Sequence, residues 1–139
     1  DDGAGEPPPL AVRGFVGGGY ELSMREFFSR LLASGVGNVV VTDGRHGAYL
    51  ADRDTIRHCP VLAVKIAGTA GAGDAFGSTL AGSLARGIDK DTALRAATLN
   101  AASVVGVVDT QSGLLQAAVL EEQIARHARD LPVRRWALG

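Results

Sequence analysis

The chain holds a single cysteine, Cys59, so no disulfide can form within it. A reducing compartment is then the default, and a cytoplasmic protein is expected. An excess of charge of one sign is missing too. Fourteen Lys and Arg stand against fifteen Asp and Glu, a formal net charge of −1, which supplies no field to hold a nucleic-acid backbone or an anionic membrane. Long apolar runs are absent: the longest stretch without a charged residue, Ala96 to Val108, is 13 residues, against about 18 or more for a membrane span. The opening DDGAGEPPP is acidic and proline-rich, the reverse of the positive and then apolar start of a signal peptide. Methionine occurs once, at Met24, and the chain begins at Asp1; a piece of a longer product is therefore expected.

What is present is the balance of a globular domain. Hydrophobic residues make up 46% of the 139 and charged residues 21%, enough to bury a core and short enough for one domain. Residues 1–19 contain Pro7, Pro8, Pro9 and the run Gly17 to Gly19, which reads as a flexible linker or tail. From Glu21 to Ala33, Leu22, Phe27, Phe28, Leu31 and Leu32 fall on one helical stripe. NVVVT at 38–42 reads as a buried strand and AYL at 48–50 as a second. Thr55 to Ile66, broken by Pro60, reads as two short strands. Three helices follow: one led in by the glycine loop at 67–73, one from Lys90 to Val107 with Asp89 as its cap, and one from Gln116 to Asp130 ended by Pro132. Gly77, Ala81, Gly82 and Ala85 predict close packing on a face of the first of these. The order implies an α/β fold with helices layered on a sheet.

A glycine loop feeding a helix is an anion site by construction, because the first amides of the helix are unpaired and carry partial positive charge. Glycine at 71 and 73 lets the backbone approach a phosphate. A Walker loop is excluded, since the chain contains no Gly-Lys pair. A dinucleotide fingerprint fits poorly: counting from Gly71, the sixth position is Phe76, with Gly77 one place late. Neither a G-x-S-x-G elbow nor an H-E-x-x-H is present. Asp74, in the first turn, has a bland explanation in the helix dipole, worth about 0.3–1 kcal/mol. A carboxylate beside a phosphate site repels its ligand, however, unless it has a chemical task, and general base toward a hydroxyl is such a task.

TAGAGDAFGSTLAG at 69–82 resembles the signature of the ribokinase family, the phosphofructokinase-B (PfkB) type carbohydrate kinases: Gly-Ala-Gly-Asp, a small residue, then Phe. VVVTDGRHGAYL at 39–50 is similar to the family's Thr-x-Gly-x-x-Gly strand and turn, and NAASVVGVVDTQSGLL at 100–115 to its nucleotide-flanking helix and loop. The resemblance covers about residues 20–130. It implies the C-terminal part of a ribokinase-like three-layer α/β/α sandwich, with residues 20–139 forming the nucleotide-binding and catalytic-loop portion. The implied activity is transfer of the γ-phosphoryl of ATP, with Mg²⁺, to a hydroxyl of a sugar or sugar-like molecule. Gly71, Ala72 and Gly73 would form the anion hole with the amide of Asp74, whose carboxylate would be the base. Thr42, Gly44 and Gly47 would lie along the phosphates, and Asn100, Ser103 and Gly113 near the adenosine.

The chain departs from the family at two points. Gly68 stands where the family commonly has an Asp that helps hold a monovalent cation, which counts against such a site here, and the family's upstream Asn-x-x-Glu has no counterpart. Family members run to about twice this length, and their first half supplies the sugar site. The chain is therefore read as a fragment, a truncated product or a domain that borrows the rest, and as a homo-oligomer or a partner of an N-terminal half. The alternative reading is a nucleotide-binding or structural module that has lost turnover. No metal-ligand set is read from the residues themselves. His58 and Cys59, adjacent on a strand, point to opposite faces and so make a poor metal or nucleophile pair. His46 is a turn residue, and Arg134, Arg135 and Trp136 form at most a small contact patch.

Overall fold

The computed structural model describes residues 5–108 and 113–139. Residues 1–4, the start of the expected tail, and 109–112, part of the third motif block, lie outside the described residues. The chain divides into two compact units, Asp1–His58 with Val133–Gly139, and Cys59–Pro132.

The first unit opens on structure where a flexible linker is expected. Pro9 starts a short helix, α1 (Pro9–Arg13), with Leu10 buried; proline's fixed φ suits the first helical turn. A hairpin follows, β1 (Phe15–Gly17) and β2 (Tyr20–Leu22), paired Phe15 to Leu22 and Gly17 to Tyr20. Gly18 and Gly19 both take positive φ, 58° and 81°, the conformation a tight two-residue hairpin turn needs. The glycine run is thus a turn, and the proline run a helix entry.

Helix α2 (Met24–Ala33) begins at Ser23, whose hydroxyl accepts from the Glu26 amide at 3.2 Å. Its buried side chains are Met24, Phe28 and Leu32, a four-residue spacing that faces one side. Leu31, assigned to the buried stripe from sequence, is 40% exposed. Phe28 sits edge-on to Phe15 and Phe27, which stack at 3.7 Å. These rings join Leu10, Tyr49, Ile56 and Trp136 in the core of this unit.

The sheet of this unit has the order β3 (Val39–Thr42), β4 (Ala48–Ala51), β5 (Thr55–Cys59), β6 (Arg134–Ala137). β3 runs antiparallel to β4, Thr42 against Ala48, and β6 antiparallel to β5, Ile56 against Trp136. β3 is not the buried strand its composition predicts. It lies at the edge, its residues alternating between half-buried and exposed, whereas every residue of β4 is buried. The C-terminal Arg-Arg-Trp is likewise no surface patch: Arg134 and Trp136 are buried in β6, with the Arg134 guanidinium 5.6 Å from the Trp136 ring and donating to the Glu6 carbonyl at 2.6 Å.

In the second unit, residues 60–66 form no strand, which corrects the reading of two strands over 55–66; β5 ends before Pro60, which has no amide to donate to a ladder. Helices α3 (Ala72–Ala85), α4 (Lys90–Val105) and α5 (Ala117–Arg126) then follow, with α3 and α5 both packed on α4. Asp89 caps α4 as expected, accepting from the Thr92 amide at 3.0 Å; the Thr92 hydroxyl first, and then its amide, hold the Asp89 carboxyl below the usual aspartate range. The face of α3 bearing Gly77, Ala81, Gly82 and Ala85 is exposed, while Ala75, Phe76, Leu80 and Ser83 are buried, so the small residues are not a packing seam within this chain. No helix among the described residues is long and apolar enough to cross a membrane.

Phe28 and Leu31, which the sequence puts on one stripe, differ in burial and so in expected cost. Phe28→Ala removes a fully buried ring and is expected to cost about 3–5 kcal/mol. Leu31→Ala is expected to stay within about 1 kcal/mol, both read by urea unfolding.

Candidate functional site

The glycine loop is pinned at its start. The amides of Ala67 and Gly68 both donate to the Val105 carbonyl at the end of α4, at 2.9 and 3.2 Å. Gly71 then takes φ 82° as the cap of α3, and no side chain caps the helix. Only glycine adopts that conformation without strain. Within the first turn Ala75 N–H closes on Gly71 O at 2.9 Å and Ala72 N–H reaches Thr69 O at 3.5 Å. Helix geometry gives the amides of Gly73 and Asp74 no carbonyl of a preceding turn, so they present partial positive charge at the N-terminus. Both residues are exposed, and a Cβ on Gly73 would meet nothing within 4 Å. Gly71, Ala72, Gly73 and Asp74 are thus contiguous, as the motif requires.

Gly68 is held closely: a Cβ there would lie 3.3 Å from the Val107 carbonyl oxygen. A side chain at this position needs its neighbour to yield by a few tenths of an ångström.

Asn100 and Gly113 have structural work of their own. Asn100 is buried on α4; its Nδ2 donates to Thr79 Oγ1 on α3 at 2.7 Å, and its Oδ1 accepts from the Leu115 amide at 2.9 Å. A Cβ on Gly113 would stand 2.7 Å from the Ser103 carbonyl oxygen and from Val104 Cα, so glycine is what lets this chain segment lie on the α4 backbone. Ser103 is half-buried and lines a cavity of about 710 Å³ with Val61, Val64, Leu99, Leu115 and His127. None of residues 71–74 lines it. Sequence reasoning passed over Thr79 and Leu115; the Asn lying 21 residues after a Thr on the neighbouring helix carries no local signal of the bond.

In the first unit, Thr42 ends β3 and Gly44 to His46 form a 3₁₀ turn closed by Gly47. Asp43 N–H donates to Gly47 O at 2.8 Å and Gly47 N–H to Gly44 O at 3.2 Å. Gly44 and Gly47 take φ 53° and 96°, conformations that favour glycine. Thr42 and Gly44 are exposed and Gly47 is buried. Beneath the turn, His58 bonds the His46 carbonyl, a contact no sequence pattern announces. Its neighbour Cys59 is buried, and burial pushes the thiol up to about 11, which disposes of a thiolate nucleophile.

The PfkB family profile, pfkB family carbohydrate kinase, matches residues 23–117. The chain belongs to this family. Among curated relatives, the bifunctional protein HldE of Bradyrhizobium diazoefficiens is 42% identical over 91 residues, covering 65% of this chain and 18% of that protein. The deoxyribokinase of Salmonella typhi is 38% identical over 82 residues, covering 59% of this chain and 27% of its own. Among solved structures, a putative ribokinase II from E. coli superposes with a TM-score of 0.70 at 27% identity, over 78% of this chain and 35% of that one; it has also been solved in complex with ATP and Mg²⁺. A ribokinase from Thermotoga maritima gives 0.65 at 29%, over 75% and 35%. The fold is therefore ribokinase-like α/β. The chain spans about a fifth to a quarter of these curated relatives and about a third of the solved chains.

Two outcomes check the site chemistry. Replacing Asn100 by Leu leaves the Leu115 amide and the Thr79 hydroxyl without their partner and is expected to destabilise by about 1–3 kcal/mol in chemical denaturation. Cys59 in the native chain at pH 8 is expected to resist a thiol reagent and to react at once in denaturant; rapid native labelling would show the thiol to be accessible.

Proposed function

We propose that residues 71–74 receive the phosphates of ATP and that Asp74 is the general base of phosphoryl transfer to a hydroxyl of a sugar or sugar-like molecule. The observation that carries this reading is the start of α3. Its N-terminus has no side-chain cap, Gly71 is held left-handed in front of it, and an exposed aspartate stands in its first turn.

Phosphoryl transfer asks a protein mainly for positioning and charge stabilisation. The amides of Gly73 and Asp74 suit an oxygen-rich anion, since backbone donors at a helix N-terminus need no rearrangement to meet it. ATP supplies the phosphoryl group. The Asp74 carboxylate takes the proton of the acceptor hydroxyl; that oxygen forms the new bond to phosphorus while the bond to the ADP oxygen breaks. Magnesium would arrive with the nucleotide, bound by its phosphates and water. Among the described residues, no three His, Cys, Asp or Glu side chains gather as a metal site.

On the strength of their motifs, Thr42, Gly44 and Gly47 of the first unit and Ser103 of the second are retained as nucleotide contacts, and Asn100 and Gly113 as residues that serve nucleotide binding indirectly. For Asn100 and Gly113 the contribution is to hold the backbone at Leu115 and Ser103. The acceptor is assigned to residues beyond this chain, and apolar side chains exposed in each unit, such as Val16 and Ile66, favour association with a further segment or a second copy. The second reading, a nucleotide-binding module without turnover, is favoured by Gly68 and its tight surroundings.

Titration of ADP into the chain tests the anion site. Gly73→Asp places a carboxylate in open space beside the amides and is expected to abolish binding without unfolding the chain; equal affinity in both overturns the site. In a form of the protein that phosphorylates a sugar, Asp74→Asn is expected to lower kcat by about 10²–10⁴, which is about 3–5 kcal/mol, with nucleotide affinity equal or slightly tighter. An unchanged kcat removes Asp74 as base; ADP binding with no turnover in any form of the protein leaves the module reading.

A further inference from the structure

The first unit buries an imidazole that the proposed chemistry does not use. His58, near the end of β5, is 5% exposed. Its Nε2 lies 2.7 Å from the His46 carbonyl oxygen, twelve residues back in the chain. A carbonyl can only accept, so Nε2 carries the hydrogen and donates it. Nδ1 is buried with no hydrogen-bond partner among the described residues. Among the described residues, the His46 carbonyl is therefore the polar contact that accounts for placing an imidazole there.

That carbonyl belongs to the turn presenting Gly44 and Gly47. Its peptide group carries Gly47 N–H, which donates to Gly44 O at 3.2 Å, while His46 N–H donates to Asp43 O at 2.9 Å, so the peptide held by His58 is joined to the start of the turn. The ring cannot easily move away, because the fully buried Tyr49, the second residue of β4 after the turn, packs on it with centroids 4.8 Å apart. Behind it, His58 pairs with Arg134 across β5 and β6. Burial also lowers the imidazole's affinity for a proton, with Arg134 acting in the same direction and Asp43 and the His46 carbonyl against it. The donor is a neutral ring held from three sides.

We propose that His58 is a positioning residue for the 43–47 turn: its Nε2–H fixes the His46 carbonyl from beneath and so sets how Gly44 and Gly47 are presented to a nucleotide. The nucleotide part rests on the function proposed above; the clamp itself does not. The effect of losing it is local, because the bond spans the turn and not the unit's apolar core.

Hydrogen exchange and ADP titration on His58→Phe and His58→Gln separate these parts. Phe keeps the ring's bulk beside Tyr49 without a donor, and Gln returns an N–H at about the reach of Nε2. In His58→Phe the amides of Asp43, His46 and Gly47 are expected to exchange on the order of tenfold faster, with the α2 amides unchanged and protection returning in His58→Gln. ADP affinity is expected to weaken about two- to tenfold in His58→Phe, the equivalent of one ordinary hydrogen bond, and to recover in His58→Gln. Unchanged turn exchange in His58→Phe overturns the clamp. Acceleration across α2 as well shows His58 to be merely structural and also overturns it. A faster turn with unaltered ADP affinity overturns the presentation of the glycines to a nucleotide. If wild type binds no ADP, the nucleotide reading falls, while the exchange comparison still decides the clamp.

Discussion

The second unit depends on one helix end and one buried amide. The last carbonyls of α4 would otherwise lack partners; one of them, Val105 O, takes two amides from the chain that leads into the glycine loop. Asn100, in the same helix, ties α3 through Thr79 and the following segment through Leu115. The loop is thus anchored on the end of α4, turns at the left-handed Gly71 and continues as α3, which packs on α4. The proposed anion site is made of backbone amides and is only as rigid as the backbone bearing it; that rigidity would come from α4.

Local signals were legible where one residue decides the outcome. Asp89 as a cap, Gly71 before a helix and Pro60 as a strand breaker each act through their own backbone geometry, which no distant contact is needed to reveal. The N-terminal misreading came from composition: Pro9 and the Gly18-Gly19 pair read as flexibility when counted together, whereas each occupies a position that requires it. β3 and β6 failed for another reason. Val-Val-Val-Thr has the composition of a central strand, but burial depends on which strands lie beside it, and Arg-Arg-Trp is buried because β5 offers it a partner. Neighbours of that kind are not written in a segment's own residues. The same holds for α3, whose small residues face outward.

For the site, the motif placed residues 71–74 together because they are contiguous, and contiguity survives folding. Roles at 100 and 113 were less legible. A buried asparagine whose two amide atoms bond Thr79 and Leu115 looks, in sequence, the same as one that faces a ligand; a glycine on a helix backbone looks the same as one in a nucleotide loop. His58 makes a poor metal or nucleophile pair with Cys59, because adjacent residues on a strand face opposite sides. The role it does have, toward a carbonyl twelve residues earlier, becomes visible only when β4 and β5 are laid side by side.

Asp74 is where stability and binding pull in different directions. A carboxylate in the first turn of α3 gains from the dipole of the helix, by about 0.3–1 kcal/mol, and the same charge opposes any phosphate brought to the amides beside it. If the residue served the helix alone, a neutral Ser or Thr cap would satisfy an amide without that opposition. The cap position instead holds Gly71, which has no side chain to offer, so the amides stay open and the negative charge stands within the first turn. The missing cap weakens the empty helix start and the carboxylate weakens the anion complex, a poor arrangement for a structural element. It becomes a sensible one where the carboxylate has a proton to accept.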